Sequence, residues 1–312
     1  SVGKWIPNVG ATLKMVTFVA LIGAGIAFAM RAEVALANDF SLDAFIPEWG
    51  SSTQYISTII YGMLGFELMS SASEEMKNPR RDVPRAIFAS GIVIFLAYVL
   101  GTFAILAAVP IDDIDLVEGL VDTLRQLFGT SGIGVAVATL FGVFALFTFF
   151  SNTTTWALGA NRAAAEAAID GELPNFLAKE HATHGTPIVA AFTMGAIVTI
   201  ILVTYGLLAG SNEDLFWKLF AASAVLFLMP YVGAVAAFLR ARRIYPDRER
   251  PFRLPCGMQL AIVITSVCNF ILLTSILLFM FVPGAGFDWP VVFGSLSAIV
   301  LGEIAIRYAE HE

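Results

Sequence analysis

Eight long apolar runs constrain this chain more than any other feature. They fall at residues 9–30, 53–73, 84–109, 132–160, 187–209, 216–239, 257–282 and 288–308. A membrane-crossing helix needs about 20 mostly apolar residues, and each run reaches that length. Hydrophobic residues make up 58% of the chain and charged residues 14%, whereas a soluble domain carries about 25% charged. Too few polar side chains remain to cover a water-facing surface. This excludes a water-soluble enzyme, a disordered regulator and a disulfide-stapled secreted module. Strict alternation at period two is absent, which argues against a membrane barrel. In lipid only a helix satisfies its own backbone without an edge partner. The expected fold is therefore all-α, a polytopic transmembrane helix bundle with residues 1–312 as a single transmembrane domain. A net charge of -7 argues against a general nucleic-acid binder, which needs a basic face.

Loop charges set the direction of the spans, because cytoplasmic loops are enriched in Lys and Arg. Fourteen of the 18 Lys and Arg residues fall on one side. They include Lys4, the Lys77–Arg85 cluster, Arg162, Lys179, the Arg240–Arg253 cluster and Arg307. The opposite side holds only Arg31, Arg125 and Lys218, with the acidic stretch Asp112 to Asp122. Lys14 lies inside the first run. Both ends of the chain are thus expected in the cytoplasm, with the bundle in the plasma (inner) membrane. No small-residue cleavage site follows the first run within signal-peptide range, so it is read as a span. Ser1 stands where a start methionine would, and the chain is expected to begin within a longer protein.

Ionisable groups inside spans are costly and mark functional candidates. Glu303 lies four residues before Arg307, at the spacing of an i,i+4 pair reaching the interface. Lys14 fits either a snorkelling lysine or a cation facing the bundle interior. Glu67 ends the stretch Tyr61-Gly62-Met63-Leu64-Gly65-Phe66-Glu67. Two glycines three apart weaken a helix by about 1 kcal/mol each. They fit close helix packing, or a break whose unpaired carbonyls and amides line a cavity. The run Ser151-Asn152-Thr153-Thr154-Thr155 before Trp156 covers every face of a helix. Its hydroxyls either bond back to their own backbone or line a path for ions or solute. Ser223 and Tyr231 lie near one face of their span, with Pro230 permitting a kink. His181 and His184 lack further ligands at zinc spacing, no histidine lies mid-span, and no phosphate-binding G-x-x-x-x-G-K-[ST] occurs. No metal, cofactor or ATPase chemistry is expected.

Three blocks resemble the amino acid–polyamine–organocation (APC) transporters. Gly65-Phe66-Glu67 followed by Glu74-Glu75-Met76-Lys77-Asn78-Pro79-Arg80-Arg81-Asp82-Val83-Pro84 is similar to that family's sixth helix and the loop after it. Trp156-Ala157-Leu158-Gly159-Ala160-Asn161-Arg162, with Asp170 to Pro174 and Thr186-Pro187, resembles the eighth helix and its loop. Pro230-Tyr231 with Arg250-Pro251-Phe252-Arg253-Leu254-Pro255 resembles the tenth. The resemblance covers essentially the whole chain. It implies the inverted-repeat fold, with helices five to twelve present, eight of twelve, and helices one to four lacking. It also selects the helix break over close packing.

By position, the resemblance places substrate contacts at Tyr61, Gly62, Leu64, Gly65, Phe66, Trp156 and Ser223. It places gates at Glu67, Trp156 and Tyr231. Coupling falls to Lys14, Ser151 and Asn152, Lys14 matching a helix-five lysine that stands in for a sodium ion in some members. The segment from Val109-Pro110 to Gly129 resembles the glutamate/GABA antiporters within the family. The implied function is a secondary active amino-acid transporter, an antiporter or proton-coupled symporter working by alternating access. A channel and a non-transporting membrane scaffold are the alternatives. The implied partners are a small amino acid, the lipid bilayer, a proton and a second copy in a homodimer.

Overall fold

The computed structural model describes residues 5–31, 35–46, 53–65, 76–114, 119–250 and 257–311. Its elements are helices α1 (Trp5–Ala29), α2 (Thr53–Gly62), α3 (Pro79–Ala108), α4 (Gly119–Phe128), α5 (Ile133–Ile169), α6 (Ile188–Leu208), α7 (Asn212–Ile244), α8 (Gly257–Met280) and α9 (Trp289–Ala309). Between α8 and α9 a two-stranded antiparallel hairpin pairs Phe281 with Phe287 and Val282 with Gly286. Among the described residues, seven helices are long and apolar enough to cross a membrane. Their outer faces carry large apolar side chains in the open, such as Phe88, Phe192 and Phe270, each over 70% exposed. Water would not tolerate so much exposed apolar surface, and a bilayer covers it. The chain is an all-α, multi-pass membrane protein.

Several boundaries differ from those expected. The run at 53–73 is helical over Thr53–Gly62, 10 residues, and residues 66–75 lie outside the described set. α3 opens at Pro79, not at Pro84. A proline costs little in a first turn, and the Asn78 carbonyl accepts from the Arg81 and Asp82 amides. α5 runs past residue 160 to Ile169, its polar extension carrying an Arg162–Glu166 ion pair at 3.2 Å. α7 begins at Asn212, where Ser211 Oγ caps the helix by accepting from the Asp214 amide. The pair expected at the end of the last span forms, Arg307 donating to Glu303 at 2.8 Å.

The acidic segment between α3 and α5 holds a helix, α4, that the apolar runs do not announce. Its Leu124 and Leu127 are buried with Leu21, Ala104, Ala108, Val109 and Ala138. Asn38 closes the end of α3 there: its amide donates to the carbonyls of Leu106 and Val109. Its side-chain oxygen accepts from the Ile111 N–H.

The chain divides into two compact units. One comprises Ser1–Phe45, Leu96–Leu207 and Val300–Glu312, the other Ile46–Phe95 and Leu208–Ile299. In the first, α1 packs on α5, and small residues allow close approach. A Cβ at Gly10 would overlap Ser151, and one at Gly25 would overlap Ala104. In the second, α7 packs on α8, with Ala221, Ala224, Val225, Leu228, Ala261 and Leu272 buried.

Candidate functional site

In the second unit, α2 stops where its glycines make helix least favourable. The Met63 N–H bonds to the carbonyls of Ile59 and Ile60 at 3.1 and 3.2 Å, and the Leu64 N–H bonds to Tyr61 O at 3.2 Å. The last turn thus tightens and then ends. Gly65 follows with φ +103°, a left-handed conformation that glycine adopts without a Cβ penalty. No donor among the described residues reaches the carbonyls of Gly62, Met63 or Leu64. A helix C-terminus bears partial negative charge, and open carbonyls add to it. This end of α2 therefore favours a cation.

Tyr61, one residue before the stop, is held by three aromatic rings. Phe220 and Phe227 of α7 lie 5.2 and 5.6 Å away, and Phe279 of α8 lies 6.3 Å away, all edge-on at 79–88°. Edge-to-face pairs at such distances are favourable beyond the area they bury. Phe227 also packs on Tyr231 at 5.4 Å, so one ring joins the expected contact residue to the expected gate. Tyr55, earlier on α2, meets Trp217 edge-on at 6.5 Å. Ser223, on α7, is exposed and donates to its own helix at Phe220 O, 2.8 Å away. Phe66 and Glu67 lie outside the described residues.

The other expected residues belong to the first unit. Ser151, on α5, is buried and donates to the Ile6 carbonyl of α1 at 2.9 Å. Thr153, Thr154 and Thr155 bond back to carbonyls four residues earlier, at 3.0, 2.9 and 2.8 Å. The three threonines thus follow the plainer of the two readings of the polar run. Asn152 and Trp156 are exposed. Lys14 lies one helical turn beyond Gly10 and is half-buried, with no carboxylate within 4 Å among the described residues. Near it in sequence and on the facing helix, the buried hydroxyls of Thr17 and Thr148 lack partners among the described residues.

Sequence reasoning missed Phe220, Phe227 and Phe279. A partial signal exists: Phe220, Phe227 and Tyr231 recur at spacings of seven and four, one face of a helix. Nothing in the chain's linear order links them to Tyr61.

A profile described as amino acid permease matches residues 1–302. The chain is 33% identical over 310 residues to "Probable agmatine/putrescine antiporter AguD" of Lactococcus lactis subsp. lactis (strain IL1403), covering 97% of this chain and 65% of that protein. It is 26% identical over 253 residues to the glutamate/gamma-aminobutyrate antiporter of the same strain, covering 78% and 48%. To the uncharacterized amino acid permease YecA of Bacillus subtilis (strain 168) it is 27% identical over 197 residues, covering 63% and 44%. The chain thus spans from under half to about two thirds of the length of these relatives.

Proposed function

The chain belongs to the amino acid permease family, and on that premise we propose that it is part of a secondary active transporter that moves amino acids or their amines by alternating access. The observation that carries this reading is the end of α2. The carbonyls of Gly62 to Leu64, which no donor among the described residues reaches, lie beside a Tyr61 boxed by rings of α7 and α8 and form a partly negative, aromatic-walled end. Broken helices at mid-membrane bind solute in this manner, their C-terminal ends taking the cation. Agmatine, putrescine, glutamate and gamma-aminobutyrate, named in the relatives' titles, all carry a basic nitrogen centre that is cationic at neutral pH. One site of this chemistry serves all four.

In this reading Tyr61, Gly62, Leu64, Gly65, Phe66 and Ser223 contact substrate, and Trp156 acts as both a contact and a gate. Glu67 and Tyr231 gate access. Lys14, Ser151 and Asn152 couple transport to a proton or to counter-substrate. The chain acts as one transmembrane domain of a plasma-membrane protein, both of its ends facing the cytoplasm. Antiport is favoured over symport because both named relatives with stated substrates are antiporters.

The test is exchange by the complete protein in proteoliposomes. Labelled glutamate or putrescine should enter vesicles preloaded with gamma-aminobutyrate or agmatine, saturably and far faster than empty ones. Equal entry into preloaded and empty vesicles, without saturation, would favour a channel. No entry of any of the four, in either condition, would leave a scaffold.

A further inference from the structure

The second unit contains a cleft of about 360 Å³ between the C-terminal part of α7 and the N-terminal half of α8. Its α7 wall carries Ala236, Leu239, Arg240 and Arg243, and its α8 wall carries Ser266 and Asn269. None of these residues has a part in the substrate site described above.

Three properties define what fits the cleft. The first is charge. Among the described residues, neither Arg240 nor Arg243 has a carboxylate within 4 Å. Their neighbour Arg242 is turned onto the Phe238 ring, 4.4 Å from its centroid. Two guanidinium groups therefore line the cleft with no carboxylate among the described residues to satisfy them. The second is unmet hydrogen bonding on the α8 wall. The Asn269 side-chain oxygen is buried without a partner. Ser266 is exposed and makes no hydrogen bond among the described residues, unlike its neighbour Thr265, which donates to Ala261 O at 2.7 Å. Neither end of the Asn269 amide has a hydrogen-bond partner among the described residues. The third is shape. From Arg243 to Ala236 the wall rises about 10 Å along the helix, passing from cationic to apolar.

We propose that this cleft holds the head group of an anionic glycerophospholipid. Its phosphate lies on Arg240 and Arg243, where a guanidinium presents paired donors matched to phosphate oxygens. Its glycerol ester region lies beside Ser266 and Asn269, whose O–H and N–H groups donate to ester carbonyls. Its acyl chain leaves along Ala236 and Leu239 into the bilayer. A free phosphate would satisfy the arginines but leave Ser266 and Asn269 unmet and the apolar wall bare. The cleft is amphiphilic in the same order as a lipid, and basic pockets between membrane helices are known to suit such head groups. A lipid seated there braces the α7–α8 pair, the same pair whose rings hold Tyr61.

The experiment uses the complete protein, purified in mild detergent, stripped of lipid and titrated with phosphatidylglycerol, phosphatidylcholine or inorganic phosphate. Bound lipid is counted by native mass spectrometry. Wild type should retain phosphatidylglycerol and release phosphatidylcholine. The double variant R240Q/R243Q should weaken retention at least tenfold. A236W, which fills the cleft and leaves every charge in place, should do the same. Each variant must elute as a single species and melt near the wild-type temperature without lipid. Should R240Q/R243Q fail this, A236W and S266A decide the matter, the latter with a loss of a few-fold. Unchanged retention by A236W would overturn the proposal, because attraction would then come from surface charge alone. Displacement of the lipid by millimolar inorganic phosphate would overturn it in favour of a simple anion site. Absence of retained phosphatidylglycerol in wild type would overturn it outright.

Discussion

At Gly10 even a methyl group is too large. A Cβ there would overlap Ser151 Oγ and Cβ, and Ser151 is itself fixed by its hydrogen bond to Ile6 O at 2.9 Å. Neither side can move cheaply, so Gly10→Ala should cost about 1–3 kcal/mol through overpacking. Ser151→Ala should cost about 1 kcal/mol for the lost hydrogen bond. The double variant G10A/S151G restores the space and should be more stable than G10A alone, in spite of a glycine in mid-helix. Thermal unfolding of the purified protein checks the order; a double variant no more stable than G10A would mean that the clash is absent. Tyr61 is a second such position. Tyr61→Phe keeps three edge-to-face pairs and should leave substrate affinity within a few-fold. Tyr61→Ala loses pairs worth about 0.5–1.5 kcal/mol each and should raise the KM for exchange at least tenfold. Equal KM values for the two variants would remove Tyr61 from the site.

Among the elements, α2 has in the proposed function a role that depends on where it ends. Gly65 sits at φ +103°, where a side chain is strained by about 1–2 kcal/mol. Replacing both glycines, in G62A/G65A, favours continuing the helix and closing the open carbonyls. Exchange should fall by an order of magnitude or more while the protein still inserts and purifies. Normal exchange by this variant would show that the helix stop is not the binding feature. The stop was only half legible in sequence: the two glycines weaken the helix locally but fit close packing equally well, and the resemblance to the family chose between the two. The seven long helices were legible outright: lipid demands a minimum apolar length, and length is read along the chain. α4 was not legible by that route. It is only 10 residues long and half polar, and its Leu124 and Leu127 are buried by contacts with α1, α3 and α5. The aromatic box around Tyr61 was hidden more deeply. It joins residue 61 to residues 220, 227 and 279, and only the packing of α2, α7 and α8 brings them together. Local chemistry could be read directly, whereas packing required the fold.

For the whole molecule, the distribution of charge outweighs its sum. The net charge is -7, yet in the order of spans expected from the sequence the basic residues fall on one side and the acidic residues between Asp112 and Asp122 on the other. Moving a basic cluster through the bilayer is costly, at about 2.5–3.5 kcal/mol for each charge at mid-depth. Orientation is therefore expected to be single, with Arg248 inside and Asp113 outside. In a background with every native cysteine replaced, Asp113→Cys should react with an impermeant maleimide on intact cells. Arg248→Cys should react only after the membrane is opened. Both sites are exposed in the structure, so accessibility does not confound the comparison. The opposite pattern would invert the bundle, and labelling of both sites in intact cells would mean mixed topology. The same result decides which leaflet can supply the α7–α8 cleft. Arg240 and Arg243 lie within the basic cluster that ends α7, only a few residues before Arg248. If Arg248 is inside, the lipid must come from the cytoplasmic leaflet, whose composition the cell sets independently of substrate.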